Sequence, residues 1–470
     1  MKVLMIASEA VPFAKTGGLA DVVSALSRQL SLQGFDVRIV IPRYYSIDRS
    51  GLTPVEGPLG VPLSFGQEWT AVYETKLPNS EVPVYFLEHE GFFGRTGIYG
   101  PKESEEFSDN IRRFAFLCRA SFQLCKKLEW IPDIMHSHDW PAGLVPVYLY
   151  SWERNSQFKD TASVFTIHNI GYQGIFSKQD IHHTQLSWEH FHGSGFEFYD
   201  KLNFLQTGLL NADILTTVSP TYAKEIQTAA YGCLMDGILR YRSTDLFGIL
   251  NGIDYHEWNP ETDPYITWNY SLEKPANKAK VKKLLQKEMG LTQNPEKPLV
   301  GMVTRLADQK GIGALCYPLY GRLYDICRDL DLQFAVLGTG EAWCEAELKV
   351  LSSKLPNLKV FIGHDNRLAH LIEAGSDFFL MPSKYEPCGL NQMYSMRYGT
   401  LPIVRRTGGL ADTVENYNET IGGGTGFMFD DLTPGAIYDV AGWAVWAWYN
   451  KKKHINAMRK RAMQKRFSWE

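Results

Sequence analysis

Residues 1–30 read MKVLMIASEAVPFAKTGGLADVVSALSRQL, and the turn Lys15-Thr16-Gly17-Gly18-Leu19-Ala20-Asp21 inside them decides how the chain is read. Val3 to Ala7 is a short apolar run, the pattern of a buried strand. Leu19, Val22, Val23, Leu26 and Leu30 then recur at helical spacing. The loop between them ends in a cation, a hydroxyl and two glycines. Paired glycines let a ligand approach the backbone, and the first amides of a helix favour anions. The stretch therefore reads as a phosphate or pyrophosphate site at the C-terminal edge of the first strand. The plainer alternative is a tight strand-to-helix turn with a surface lysine.

Outward from this turn the pattern repeats. Val37–Ile41, Val84–Leu87, 134–136, Val164–Ile167 and Ile214–Val218 are further strand candidates. A Gly/Pro-rich stretch before Val84 suits a hairpin, and Ile111–Leu128 reads as a helix. Short apolar runs separated by helices predict a parallel sheet covered on both faces. From Asn251 to Pro275 the chain is rich in Asn, Pro, Asp and aromatics without helical period, the composition of an interdomain crossing. A second series follows at Leu299–Thr304, Phe334–Leu337, Val360–Ile362, Phe378–Met381 and 403–404. Within it, Arg406-Thr407-Gly408-Gly409-Leu410-Ala411-Asp412 echoes Lys15–Asp21. The expected fold is α/β, with two Rossmann-like doubly wound domains facing a deep cleft. The expected boundaries are 1–250, 251–450 and a C-terminal helix at 451–470. If both glycine loops face one cleft, a diphosphate lies between two helix N-termini.

Bulk properties exclude other classes. At 470 residues and 44% apolar composition the chain can form more than one sizeable core. A formal charge of -4 gives no electrostatic argument for nucleic acid. No apolar run is long enough to span a membrane, and the first apolar run leads into the glycine loop rather than a cleavage site. The seven cysteines are scattered without a Cys-x-x-Cys, which suits reduced thiols in a cytoplasmic protein. Residues 451–466 hold eight Lys/Arg and no acid, with Ile455, Met458 and Ala462 on one helical face; a packed terminal helix explains this best.

Several strand ends carry chemistry. Arg305 and Lys310 follow a strand, where two cations suit a leaving diphosphate. No GxxxxGK[ST] occurs, so a Walker-type ATPase is not indicated. Glu386, in Ser383–Leu390, is the acidic candidate for sugar hydroxyls or developing positive charge. Cys388 beside it has no histidine partner in the sequence and reads as a packed thiol. In the first half, neighbouring strand ends bring Asp139 of His138-Asp139-Trp140 and His168 of Thr166–Asn169 towards one pocket. No known metal-ligand spacing appears, so the expected metal content is none.

These motifs together resemble the bacterial glycogen synthases and plant starch synthases, and the resemblance spans essentially the whole chain. It rests on Lys15–Asp21, His138–Trp140, Thr166–Asn169, Gly301–Leu306 with Gln309–Gly311, Ser383–Leu390 and Arg406–Thr413. The resemblance implies a retaining glucosyltransferase of the glycosyltransferase B fold. It implies transfer of glucose from a nucleotide sugar to the 4-hydroxyl at the non-reducing end of an alpha-1,4-glucan primer. It places Lys15, Gly17 and Gly18 beside the diphosphate and donor sugar, and Asp21 near the ribose. Arg305 and Lys310 would hold phosphates, Glu386 and His168 would contact the donor glucose, and Asp139 and Asn251 would line the same cleft. Gly408 and Gly409 would lie near the transferred group. The terminal helix would cross back onto the first domain, and closure of the domains would exclude water.

The implied partners are ADP-glucose, as substrate rather than cofactor, and the glucan; no nucleic acid or membrane is implied, and oligomeric state stays open. Lys384 stands where these enzymes commonly have Arg, Asn391 where Thr or Ile is usual, and His364 where Tyr commonly lies near the base. The last departure keeps UDP-glucose as the alternative donor. A non-catalytic glucan-binding protein and a glucan phosphorylase are the rival readings; the phosphorylase would need phosphate and normally pyridoxal phosphate.

Overall fold

The structure is a computed structural model and describes residues 1–102, 105–193, 195–319 and 321–469. It divides into two compact units, Met1–Ile249 with Trp469, and Leu250–Ser468.

The first unit is built on β1 (Lys2–Ile6), β2 (Asp36–Pro42), β3 (Gly66–Lys76), β4 (Pro83–Glu88), β5 (Ile134–His138), β6 (Ala162–Ile167), β7 (Ile214–Thr217) and β8 (Leu246–Gly248). Their order across the sheet is β8-β7-β6-β5-β1-β2-β4-β3. Every neighbouring pair from β8 to β4 is parallel, and β3 runs antiparallel to β4. Strands Thr53–Pro54 and Leu59–Leu63 pair antiparallel with β3, so the Gly/Pro-rich region holds the expected hairpin. The helix after β1, Gly18–Leu32, buries Leu19, Ala20, Val22 and Val23. It stops at Gly34, whose φ of +90° suits glycine and whose N–H bonds back to the Ser31 carbonyl at 2.9 Å.

The second unit contains β9 (Leu299–Val303), β10 (Gln333–Gly338), β11 (Leu358–Ile362), β12 (Phe378–Met381), β13 (Leu401–Arg405) and β14 (Phe427–Phe429). The order is β11-β10-β9-β12-β13-β14, all parallel. This is the 3-2-1-4-5-6 order of a doubly wound nucleotide-binding sheet, whose ligand crevice lies where the order reverses. Here the reversal falls between β9 and β12. In the first unit it falls between β1 and β5. The two Rossmann-like halves expected from the sequence are therefore present.

Residues 250–275 contain no helix or strand, but they are not a loose tether. Trp258 is buried and stacks on His370 and Tyr394, with ring centroids 3.9 Å apart in both pairs. Tyr270 donates to the Tyr398 carbonyl at 2.8 Å. The segment is part of the second unit.

The apolar face of the C-terminal helix, Lys452–Gln464 (Ile455, Met458 and Ala462), joins the core of the second unit. Arg459 anchors it to Asp377 at 2.5 Å. The chain end at Trp469 groups with the first unit. No helix among the described residues is long and apolar enough to cross a membrane.

Candidate active-site residues in the two units

In the second unit the functional side chains converge at the reversal point. The loop after β9 carries Arg305 and Lys310, and the loop after β12 carries Ser383 and Glu386. Lys310 Nζ donates to both Glu386 oxygens, at 2.9 and 2.7 Å. Ser383 Oγ adds a 2.8 Å bond to Glu386 Oε2. Glu386 is 5% exposed, so its carboxylate is held by one cation and one hydroxyl out of bulk water. The half-buried Arg305 donates from Nη2 to the side-chain Oε1 of Gln309 in its own loop at 3.4 Å.

The two loops are also joined through backbone. The Lys384 N–H donates to the Gln309 carbonyl at 2.9 Å. Gly311, at φ +72°, lies so close to the Pro382 carbonyl that a Cβ there would stand 1.9 Å from it. The substituted positions fit this frame. Lys384 pairs with Asp308 at 3.1 Å, and Asn391 Nδ2 donates to the Val303 carbonyl at the end of β9 at 2.9 Å.

The second glycine loop packs against the same element. The Gly409 N–H donates to the carbonyls of Glu386 and Pro387, at 3.1 and 3.2 Å. The helix it opens, Gly408–Thr413, has only 6 residues. The Gly409 amide is thus used within the chain. Asn251 is buried, and its backbone N–H points at the Cys388 sulfur. Burial raises the Cys388 thiol to about 12, which removes it from nucleophilic duty near neutrality and supports the packed-thiol reading. His364 lies exposed just beyond β11, at the edge of the sheet.

In the first unit the reversal point brings the loops after β1, β5 and β6 together. Asp139 ends β5 with φ +54° and ψ -176°, a conformation rare outside glycine. Strain of this kind costs about 1–3 kcal/mol and is retained where the surroundings impose it. Here the Asp139 N–H bonds to the Thr166 carbonyl at 2.9 Å. Its Oδ1 accepts from the backbone N–H groups of His168, at 2.7 Å, and Asn169, at 3.4 Å. Burial raises the Asp139 carboxyl to about 7; the two amide bonds oppose the rise and the nearby Glu9 carboxylate adds to it. Asp139 and His168 are therefore brought into one pocket, as their strand-end positions predicted.

Three imidazoles lie side by side there. His138 Nδ1 and His168 Nε2 share a hydrogen bond of 3.0 Å, and the His136 and His138 rings stack with centroids 4.2 Å apart. Desolvation lowers His136 to about 4 and His168 to about 3, so both rings are neutral near pH 7. Neutral imidazoles suit hydrogen bonding to sugar hydroxyls and cannot serve as fixed cations for phosphate. Among the described residues no group of three or more His, Cys, Asp or Glu side chains is placed to hold a metal ion.

The opening glycine loop is organised by a residue the sequence reading passed over. Glu9, 2% exposed, accepts from the N–H groups of Thr16 and Gly17, from Thr16 Oγ1 at 2.8 Å and from Tyr99 Oη at 2.5 Å. Burial raises its pKa against these bonds. Two amides that read as phosphate donors thus already hold an internal carboxylate. Lys15 pairs with Asp21 at 2.8 Å across the first turn of the Gly18–Leu32 helix. A Cβ on Gly17 would meet nothing within 4 Å. Glu9 and Tyr99 carry no motif signature; the signal is only an acid placed between strand and glycine pair.

Comparison with known proteins agrees with this geometry. The family described as "Starch synthase catalytic domain" matches residues 2–241, and "Glycosyl transferases group 1" matches residues 287–462. The chain is 56% identical over 469 residues to a glycogen synthase of Treponema denticola, covering 100% of this chain and 96% of that one. It is 46% identical to glycogen synthase 1 of Geobacter metallireducens, over 100% of this chain and 93% of the other. The catalytic domain of starch synthase IV from Arabidopsis thaliana, solved with ADP and acarbose, matches with a TM-score of 0.90 at 30% identity, covering 99% of this chain and 96% of that one. A sucrose-phosphate synthase from Thermosynechococcus elongatus shares the fold alone, with a TM-score of 0.58 at 16% identity, over 100% of this chain and 95% of the other. Two parallel doubly wound units, paired cation and carboxylate at the second reversal point, and these matches make the chain a member of the glycogen and starch synthase family of glycosyltransferases, with the glycosyltransferase B fold.

Proposed function

We propose that this chain lengthens an alpha-1,4-glucan by transferring glucose from ADP-glucose, with retention, to the 4-hydroxyl of a non-reducing end. The observation that carries the reading is the Lys310–Glu386 pair at the β9/β12 reversal point. That is where a doubly wound sheet receives its nucleotide. A cation and a carboxylate side by side suit a donor with an anionic diphosphate next to a hydroxyl-rich sugar.

In this reading Lys310 and Arg305 stabilise charge on the departing diphosphate, a transition-state effect worth about 3–4 kcal/mol per well-placed donor. Lys15, with the Gly17-Gly18 turn, contacts the diphosphate, and Asp21 the ribose. Glu386 and the neutral His168 hydrogen-bond the glucose. Asp139 fixes the backbone of His168 and Asn169, and Asn251 lines the donor side. The bond from the anomeric carbon to the phosphate oxygen breaks with the electron pair leaving on the diphosphate. The acceptor oxygen bonds to the anomeric carbon on the same face and gives its proton to a diphosphate oxygen. Configuration is retained without an enzyme nucleophile, and no resident metal is needed in this scheme.

The glycogen synthase relatives support the glucan product, and the ADP in the starch synthase IV structure supports the donor. The test is primer-dependent release of nucleoside diphosphate, measured in parallel with ADP-glucose and UDP-glucose carrying radiolabelled glucose. The expected result is label in alpha-1,4-glucan and faster release from ADP-glucose. Faster turnover of UDP-glucose overturns the donor assignment. No release from either donor, with glucan still bound, overturns the transfer reading in favour of a binding protein.

A further inference from the structure

His138 is fully buried between two other imidazoles, His136 and His168. Parallel pairing of β5 with β6 sets His138 opposite Thr166, so its ring meets that of His168 just past the strand end. His138 Nδ1 stands 3.0 Å from His168 Nε2. His136 lies two residues back, on the same face of β5, and stacks on the His138 ring. It is itself tied to Thr166 Oγ1 at 2.6 Å, and Thr166 Oγ1 to Thr216 Oγ1 at 2.7 Å. The His138 ring is thus held flat in one place. Its Nε2 is sealed from solvent and has no hydrogen-bond partner among the described residues.

This arrangement decides where the protons sit. Desolvation holds His138, like His168, well below the ordinary imidazole range, so each neutral ring carries one N–H. If His168 donated from Nε2 to His138 Nδ1, the N–H of His138 would lie on its Nε2, a sealed donor with nothing to accept it. Orphaned buried donors are rarer than under-used acceptors. If instead His138 donates from Nδ1, its Nε2 is left as a bare lone pair, and His168 Nε2 becomes the acceptor. The N–H of His168 then lies on Nδ1, the ring nitrogen that His138 does not engage. His168 is the ring of this pair that keeps some exposure.

We propose that His138 is a positioning residue: by donating from Nδ1 it fixes His168 as the Nδ1–H tautomer and makes it a hydrogen-bond donor to the sugar of the bound nucleotide sugar. The hydrogen bond made by one nitrogen of an imidazole sets the role of the other. This rests on the proposed place of His168 beside that sugar.

The tautomer is read in the full chain, without substrate, by long-range proton–nitrogen NMR correlation with isotope-labelled histidines at neutral pH; the His168→Gln spectrum assigns the His168 signals. The expected result is a protonated Nδ1 and a bare Nε2 at His168. In His138→Leu, with folding checked by circular dichroism, kcat/KM for ADP-glucose is expected to fall about tenfold or more, about 1.4 kcal/mol of transition-state stabilisation, with the primer KM unchanged. His138→Asn, whose amide can donate from the place of Nδ1, is expected to restore both the tautomer and most of the lost rate. Parent-like kinetics in His138→Leu, or no recovery in a folded His138→Asn, overturns the proposal. A protonated Nε2 at His168, with His168→Gln impaired in transfer, overturns the proposal alone. The expected tautomer with unimpaired transfer in His168→Gln overturns the place of His168 at the sugar, and the proposal with it.

Discussion

Two loops in this chain share the pattern cation-Thr-Gly-Gly-Leu-Ala-Asp, and the structure uses them differently. At 15–21 the glycine pair opens a helix of 15 residues, and Gly17 has extended backbone with open space where a Cβ would be. The amides there bind the Glu9 carboxylate, and Lys15 bridges to Asp21. At 406–412 the helix lasts one and a half turns, and Gly408 adopts φ +44°. A Cβ at Gly408 would stand 1.9 Å from the Glu386 carbonyl, and one at Gly409 would stand 2.1 Å from the Cys388 carbonyl. The second pair is glycine because the loop bearing Glu386 presses on it. Nothing inside the chain requires the first pair's Gly17 to be glycine, so its reason lies in what approaches from outside. The same six residues, Thr-Gly-Gly-Leu-Ala-Asp after a cation, serve internal packing in one half and access in the other.

The sharpest way to break this comparison is at the group the second loop supports. Lys310→Ala is expected to lower kcat with ADP-glucose by about 10²–10³-fold, the usual size for losing one transition-state donor. It also leaves Glu386 buried without its cation, a change worth about 3–5 kcal/mol of stability. Near-normal turnover contradicts the role of Lys310. The next largest effect is Gly408→Ala, which forces a side chain against the Glu386 carbonyl. Urea denaturation is expected to show a loss above about 3 kcal/mol, the range reserved for overpacking and strain at a special backbone conformation.

A smaller effect concerns Asp139. The folded chain holds its proton up to about pH 7, whereas an unfolded aspartate loses it near 4. The contribution of this group to stability therefore declines as pH rises from about 4 to about 7. In Asp139→Asn that decline is expected to vanish from the pH dependence of the urea midpoint, measured against the parent protein. The same substitution is expected to remove a limb near pH 7 from the kcat/KM profile, because ionisation above 7 strengthens the hold on the His168 and Asn169 amides. The smallest effect is Lys15→Ala. Its ion pair is exposed, so thermal stability is expected to move by less than about 1 kcal/mol while the donor KM rises several-fold.

Much of the fold is readable in the sequence because the parallel strands are buried on both faces. Runs such as Phe378–Met381 and Phe334–Leu337 are apolar enough to stand out without an alternating pattern. The three-residue edge strands Leu246–Gly248 and Phe427–Phe429 are too short to carry such a signal. The meeting of Asp139 with His168 follows from motifs at the ends of β5 and β6, strands that neighbour one another in sequence and in the sheet; the pairing of Lys310 with Glu386 was not legible, because it needs the reversal of strand order that sets β9 beside β12. Glu9 and Tyr99 were not legible, because residues 90 positions apart meet only through the sheet. Nor was the different use of the two glycine pairs, since identical local sequence takes its backbone conformation from what packs against it.

The account turns on that difference, and Gly17→Ala tests it most directly. Its urea midpoint and its KM for ADP-glucose are to be measured beside those of Gly408→Ala. The account predicts stability within about 1 kcal/mol of the parent chain and a donor KM raised about tenfold or more. A Gly17→Ala protein as destabilised as Gly408→Ala, or one with unchanged donor KM, contradicts it.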